Sequence, residues 1–132
     1  MNTSLENKTI LVVDDDADIC EAVRSALEEA GGSVILADSV DSAFETYRQR
    51  PPHAVIADIQ LGKSDGYALI KAIRQTDSEY RGFTPVAAMT SFASPDDESR
   101  ALAAGFNAFI AKPFDSQSVV AVLAKLLKDR GD

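Results

Sequence analysis

Short apolar runs alternate with longer amphipathic segments along this chain. The first run, residues 9–13, is rich in β-branched side chains and stops at an aspartate, which is typical of a strand buried on both faces. Ile19, Val23 and Leu27 then recur at helical spacing between charged residues. This spacing predicts an amphipathic helix, and Gly31 is placed to close it.

The same strand-then-helix pattern repeats four more times. Further strands are predicted at residues 33–37, 53–57, 85–89 and 107–111, and further helices at 39–50, 66–76, from the capping sequence at Ser94 to Gly105, and at 115–128. Five such units predict an α/β fold: a doubly wound, five-stranded parallel sheet with helices on both faces. The strand order expected for such a flavodoxin-like sheet is 2-1-3-4-5.

The composition fits a single domain. With 132 residues, 45% of them hydrophobic, the chain can build one core without disulfides or a structural metal. We therefore expect one domain over residues 1–132, with a core from about residue 8 to residue 128.

Charge and cysteine content indicate which binding partners and which cellular compartment to expect. The 13 basic and 21 acidic residues leave a net charge of −8, which argues against direct binding to nucleic acid or to an anionic membrane. Cys20 is the only cysteine, so neither an internal disulfide nor a cysteine zinc site is expected. Without a signal-like leader or an apolar run of membrane-spanning length, the sequence predicts a cytoplasmic protein.

Polar residues follow each predicted strand, and only the second strand, which ends near Ala37-Asp38, lies outside the cluster that the expected strand order forms. Asp14 and Asp15 follow the first strand, Asp58 the third, Thr90 the fourth and Lys112 the fifth. In open parallel sheets, the functional crevice lies beyond the carboxyl ends of the strands, where the strand order reverses. We expect these side chains to meet at that edge.

This set of side chains has a definite chemistry. Crowded carboxylates disfavour one another's charge unless a cation compensates, and hard oxygen ligands with one open position suit Mg²⁺. A carboxylate beside the metal can attack phosphorus, while the metal and a lysine neutralise charge on the transferring group. The residues alone thus predict a Mg²⁺-dependent phosphoryl-transfer site, to which Thr90 adds a hydroxyl donor.

Four motifs carry a resemblance to a known family. The chain resembles the receiver domain of bacterial two-component response regulators, over essentially its whole length, in the segments Leu11-Val12-Val13-Asp14-Asp15-Asp16, Val55-Ile56-Ala57-Asp58 with Asp65-Gly66 after it, Met89-Thr90-Ser91 and Lys112-Pro113-Phe114. The resemblance implies a phosphorylated signalling switch. It does not imply an enzyme with a separate substrate, because such a domain assists only its own phosphorylation and dephosphorylation.

The resemblance also implies roles for individual residues. Asp58 matches the phosphoacceptor, which takes its phosphoryl group from a histidine kinase or a histidine phosphotransfer protein. Asp15, Asp58 and the backbone carbonyl of Gln60 match the direct Mg²⁺ ligands, and Asp14 would act through a bound water.

Further matches concern the response to phosphorylation. Thr90 and Lys112 match the residues that contact the phosphoryl group, and Pro113 matches a cis-proline position. Thr90 and Phe109 match the switch pair, whose movement would reshape the face formed by helix 4, strand 5 and helix 5. Phe109 has no hydroxyl, so it could report only through packing.

The implied partners follow from the same resemblance. Besides the phosphodonor, we expect a downstream protein target or an appended output domain, and phosphorylation-dependent homodimerisation is a further option. The chain is then either a stand-alone regulator or a receiver excised from a larger protein; its leader favours the first.

Three positions either depart from the family pattern or match positions that influence phosphoryl lifetime in the family. Gly62 stands where a proline commonly follows the phosphoacceptor, so we expect a more flexible loop there. Gln60 and Phe92 match positions that influence phosphoryl lifetime, and bulky Phe92 is predicted to shield the aspartyl phosphate from water.

Two alternatives stay open at this point. The run ending in Asp14-Asp15-Asp16 also resembles the nucleophile motif of haloacid-dehalogenase-type phosphatases, in which Asp14 would be phosphorylated. Asp18 stands where that motif usually has threonine or valine, and the chain leaves little room for a substrate-capping element. The second alternative is a receiver-like docking module that is never phosphorylated.

Overall fold

The computed structural model describes residues 4–61, 64–81, 83–91 and 94–129. Its main sheet has five strands: β1 (Thr9–Val13), β2 (Ser33–Ala37), β3 (Ala54–Asp58), β4 (Val86–Thr90) and β5 (Ala108–Ala111). Every neighbouring pair is parallel, and the order is β2-β1-β3-β4-β5. The predicted doubly wound sheet and its 2-1-3-4-5 order are therefore confirmed.

Five α-helices connect and follow these strands: α1 (Ala17–Glu29), α2 (Val40–Gln49), α3 (Gly66–Thr76), α4 (Pro95–Ala104) and α5 (Ser116–Asp129). Two features were not predicted. Gln60–Leu61 and Ser64–Asp65 form a small antiparallel pair of strands, and a π-helical segment, Asp77–Arg81, extends α3. Within the described residues, no helix combines the length and the apolar character needed to cross a bilayer.

The sheet separates two hydrophobic clusters. Ile10 and Val12 face one cluster, which α1 and α5 cover, and Leu11 and Val13 face the other, which α2, α3 and α4 cover. Neighbouring residues of a strand point to opposite sides, so an all-apolar strand such as β1 must be covered on both faces.

Local capping sets several helix ends. The side chains of Asp16, Ser39 and Ser94 accept hydrogen bonds from backbone N–H groups in the first turns of α1, α2 and α4. Gly105 ends α4 in the left-handed region, at φ +118°, which a residue with a Cβ rarely adopts. The predicted start of α4 at Ser94 and its stop at Gly105 are confirmed.

The packed part of the chain begins earlier than residue 8. Leu5 is fully buried among the residues that α1 and α5 cover. Its N–H donates to the carbonyl of Ala30 at 3.0 Å, which ties the leader to the end of α1. The mainly polar composition of residues 1–8 gave no signal that Leu5 would be buried.

Candidate functional site

Three carboxylates meet at the carboxyl end of the sheet, as the sequence predicted. Asp14 and Asp15 follow β1, and Asp58 is the last residue of β3. Val13 and Ala57 are paired in the β1–β3 register, so the next residue on each strand is a carboxylate. One carboxylate oxygen from each of the three aspartates lies within 4.8 Å of the other two.

Backbone donors orient the two buried carboxylates. Oδ1 of Asp14 accepts from the N–H of Asp16 at 2.9 Å, and Oδ1 of Asp58 accepts from the N–H of Gln60 at 2.9 Å. Aspartate commonly forms this bond to the backbone two residues ahead. Each carboxylate is thus held by its own strand-end turn, and its second oxygen is left for other partners.

Lys112 supplies that partner to both carboxylates. Its Nζ lies 3.0 Å from Oδ2 of Asp14 and 2.9 Å from Oδ2 of Asp58. Its backbone N–H donates to the carbonyl of Thr90 at 2.8 Å, and its peptide bond to Pro113 is cis. A lysine that follows β5 therefore bridges the ends of β1 and β3.

Burial and mutual charge set the protonation of this cluster. Burial raises the pKa of Asp14, and the negative charge of Asp58 adds to the rise, while the N–H of Asp16 and Lys112 oppose it. Burial also disfavours the charge of Lys112, but its hydrogen bonds to Asp58 and Asp14 outweigh that effect and raise the pKa of Lys112. Even with the lysine in place, the site is short of positive charge.

A divalent cation would supply the positive charge that the three carboxylates lack. Asp15 is exposed, whereas Asp14 and Asp58 are buried. The cluster therefore has a solvent side from which an ion can enter, and its oxygen donors are those that Mg²⁺ prefers.

The predicted switch residues lie on neighbouring strands and on one face of the sheet. Thr90 is buried at the end of β4 and is paired with Ala111. Phe109, two residues before Ala111, shares its face and packs half-buried against the cluster that α2, α3 and α4 cover. A movement of Thr90 therefore acts on the side of the sheet where Phe109 packs.

Gly66 is a site residue to which the sequence reasoning gave no role. A Cβ at this position would lie 2.6 Å from the carbonyl oxygen of Asp58 and 2.9 Å from the Cα of Ile59. Its N–H donates to the carbonyl of Ile59 at 2.6 Å. Only glycine lets α3 begin directly against the backbone of Asp58, and the Asp65-Gly66 pair was the available signal.

The geometry disfavours Asp14 as a nucleophile. Its side chain is 0% exposed, and since both carboxylates bond to a backbone N–H and to Lys112, this burial is what distinguishes it from Asp58. The side chain of Asp58 is 9% exposed. The phosphatase alternative is thus less well supported than phosphorylation of Asp58. Gly62 and Phe92, on which two further predictions rest, lie outside the described residues.

Comparison with known sequences agrees with the geometry. The family model of the response regulator receiver domain matches residues 10–124. The chain is 30% identical over 131 residues to the transcriptional regulatory protein PrrA of Mycobacterium tuberculosis. The aligned region covers 99% of this chain and 54% of PrrA. The chain is also 32% identical over 118 residues to an uncharacterised 14.6 kDa protein of Leptolyngbya boryana, covering 89% and 88% of the two chains. The chain thus spans about half the length of PrrA.

Comparison with solved structures gives the same fold. A putative response regulator from Chloroflexus aurantiacus superposes with a TM-score of 0.85 at 31% identity, covering 92% of this chain and 98% of its own. The chemotaxis response regulator CheY4 of Vibrio cholerae gives a TM-score of 0.82 at 27% identity, covering 90% and 98%.

Proposed function

Because this chain belongs to the receiver domain family of two-component response regulators, we propose that Asp58 is its phosphoacceptor. The observation that carries the proposal is the bridge from Lys112 to Asp14 and Asp58, with Asp15 completing the cluster on its solvent side. This arrangement holds a reactive carboxylate beside a fixed ammonium and a cation-binding set.

We assign the cation-binding role to Mg²⁺. Asp15, Asp58 and the backbone carbonyl of Gln60 would hold it directly, and Asp14 would act through water. When bound, Mg²⁺ supplies positive charge against the oxygens of the phosphoryl group. Burial raises the pKa of Asp14, and the positive charge of Mg²⁺ would favour the ionised carboxylate again.

In the transfer itself, Asp58 is the nucleophile and the donor supplies the phosphoryl group. A carboxylate oxygen of Asp58 attacks the phosphorus of a phosphohistidine, a P–O bond forms, the P–N bond breaks, and its electron pair leaves with the imidazole. The side chain of Lys112 is already 2.9 Å from Asp58, so its ammonium group can neutralise the new phosphoryl oxygens without a large movement.

The response then passes along β4 and β5. Thr90 donates its hydroxyl to the phosphoryl group, and Phe109 repacks on the same face of the sheet. These two movements change the surface formed by α4, β5 and α5. Two packings that differ by a few kcal/mol suffice, since couplings between sites are typically about 1–3 kcal/mol.

The setting of the domain is also part of the proposal. Residues 1–132 act as a single receiver that takes its phosphoryl group from a histidine kinase or a histidine phosphotransfer protein in the cytoplasm. Its output is a contact with a downstream protein, a second copy or an appended output domain.

A beryllofluoride adduct tests the switch. With Mg²⁺ and beryllofluoride, amide resonances on the α4–β5–α5 face of the wild-type protein should shift, and those of Asp58→Ala should not. Asp41→Ala, which removes an exposed acid at the start of α2, serves as the matched control and should respond like the wild type. A wild-type spectrum that does not respond would contradict the proposed function.

A further inference from the structure

A buried polar network lies at the end of the sheet opposite the three carboxylates. Its centre is Asp77, which is 3% exposed. The carboxylate of Asp77 accepts from the hydroxyl of Tyr47, from the N–H of Thr84 at 2.7 Å and its hydroxyl at 2.9 Å, and from Nη1 of Arg74 at 3.0 Å. One side chain thus joins α2, α3 and the segment that leads into β4.

Arg74 extends this network to the end of α4. Its Nε and Nη2 donate to the carbonyl of Gly105 at 3.0 and 2.9 Å, and Nη2 also donates to Oδ1 of Asn107 at 2.7 Å. Its Nη1 donates to the carbonyl of Thr84 at 2.6 Å. The planar guanidinium can serve all these acceptors at once because its donors point in fixed, separate directions.

The helix held in this way is packed at one end only. Of the ten residues of α4, all of which the structure describes, only Ala101 is buried. Beyond the helix, Phe106 is buried edge-to-face against Tyr67, with ring centroids 6.0 Å apart. Every side chain that anchors α4 in the core thus lies in its C-terminal part or just after it.

The N-terminal end of α4 is capped by hydrogen bonds within its own first turn. The side chain of Ser94 accepts from the N–H of Asp97 at 3.1 Å, and Asp97 accepts from the N–H of Ser94 at 3.2 Å. This capping box satisfies the helix end without a partner from another element. The end can therefore shift without exposing unpaired backbone groups.

We propose that α4 responds to phosphorylation by pivoting about Gly105, and that Arg74 is the positioning residue that keeps the C-terminal end of the helix fixed. The inference rests on the proposed function, in which phosphorylation of Asp58 pulls on Thr90. Thr90 and the N-terminal end of α4 lie at the carboxyl end of the sheet, and Gly105 lies at the opposite end. A pull on Thr90 then moves the free end of α4 and leaves its anchored end in place.

The wild-type protein tests the pivot directly. On addition of Mg²⁺ and beryllofluoride, shifts of the backbone amide resonances should be largest near Glu98 and should fall toward Gly105 and Asn107. If the shifts at Gly105 and Asn107 equal those at Glu98, the pivot is wrong. If no resonance shifts anywhere, the proposed function itself fails, so the two failures are distinguishable.

A conservative variant tests the role of Arg74. Arg74→Lys keeps a cation beside Asp77, but a single ammonium cannot also serve Gly105 and Asn107. We expect the beryllofluoride-induced shifts at Gly105 and Asn107 to become as large as those at Glu98. Arg48→Lys, at an exposed arginine of α2, is the matched control and should keep the wild-type gradient.

An unchanged gradient in Arg74→Lys would show that Arg74 does not fix this end of the helix. A loss of fold alone would shift resonances throughout the chain without beryllofluoride, so the adduct-free spectrum separates that effect from a lost anchor. The wild-type gradient tests the pivot even if the variant does not fold.

Discussion

The site formed by Lys112, Asp14 and Asp58 has too little positive charge for its carboxylates. Two buried carboxylates share one ammonium, at 3.0 and 2.9 Å, and a third carboxylate faces solvent beside them. Burial raises the pKa of Asp14 because its charged form loses solvation that the lysine only partly replaces. The residues that suit the site to a cation therefore weaken the fold when no cation is bound.

This conflict predicts a stability gain from Asp14→Asn. At neutral pH in EDTA, the variant should be more stable than the wild type, because a neutral amide does not bring a buried negative charge next to Asp58. Urea unfolding measures the difference. Glu79→Gln, which removes an exposed charge, is the control and should change stability by no more than about 0.5 kcal/mol.

The sign of the pH dependence follows from the direction of the shift. The pKa of Asp14 is raised above 3.8 by burial, so the folded protein takes up this proton before the unfolded chain does. Protonated Asp14 therefore stabilises the folded state, and this stabilisation is lost as the pH rises through the pKa that Asp14 has in the folded protein. The advantage of Asp14→Asn should therefore shrink as the pH falls toward about 4.

With Mg²⁺ in place of EDTA, the wild type should become more stable than Asp14→Asn, since a ligand at one hundred times its Kd stabilises a fold by about 2.7 kcal/mol. A variant that is less stable than the wild type at neutral pH in EDTA would contradict the account of the charge shortage.

At the scale of elements, α4 differs from its neighbours. Its N-terminal half contributes no buried side chain, and its capping box is local. A helix end of this kind can open on its own, because opening exposes little apolar surface.

Ser94→Ala should therefore loosen one end of α4 only. Loss of an N-cap hydroxyl typically costs about 1 kcal/mol, which corresponds to roughly fivefold faster exchange of the Glu98 amide hydrogen. The Phe106 amide, which donates to the carbonyl of Ala101 at 3.2 Å, should keep its rate. Amide exchange followed by NMR measures both rates, with Ser25→Ala in the exposed middle of α1 as the control. Equal acceleration at Glu98 and Phe106 would contradict a locally held helix end.

The elements that the sequence predicted are those with a local signal. Continuous apolar runs predicted the strands, and Ser94 and Gly105 predicted both ends of α4. The antiparallel pair of Gln60–Leu61 and Ser64–Asp65 and the π-helical segment Asp77–Arg81 have no such signal. Tertiary contacts hold the π-helical segment. Asp77 is an example: its partners come from residue 47 on one side and residue 84 on the other.

At the scale of the whole molecule, the strand order turns separate motifs into one site. Asp14, Asp58 and Lys112 are far apart in the sequence and meet because β1, β3, β4 and β5 are neighbours in that order. The parallel pattern made this edge predictable. The network around Arg74 was only partly predictable. The i,i+3 spacing brings Arg74 and Asp77 together, but nothing in the sequence shows that Tyr47 and Thr84 join them at the end of the sheet opposite the carboxylates.

The central claim is that Asp58 accepts a phosphoryl group. The most direct measurement is to incubate the protein with Mg²⁺ and a small phosphodonor that contains a P–N bond, to reduce the acyl phosphate with borohydride, and to locate the modified aspartate by peptide mass spectrometry. The account predicts modification at Asp58 alone, which EDTA abolishes and Asp58→Ala lacks. Modification at Asp14, or none at Asp58 in the wild type, would contradict it.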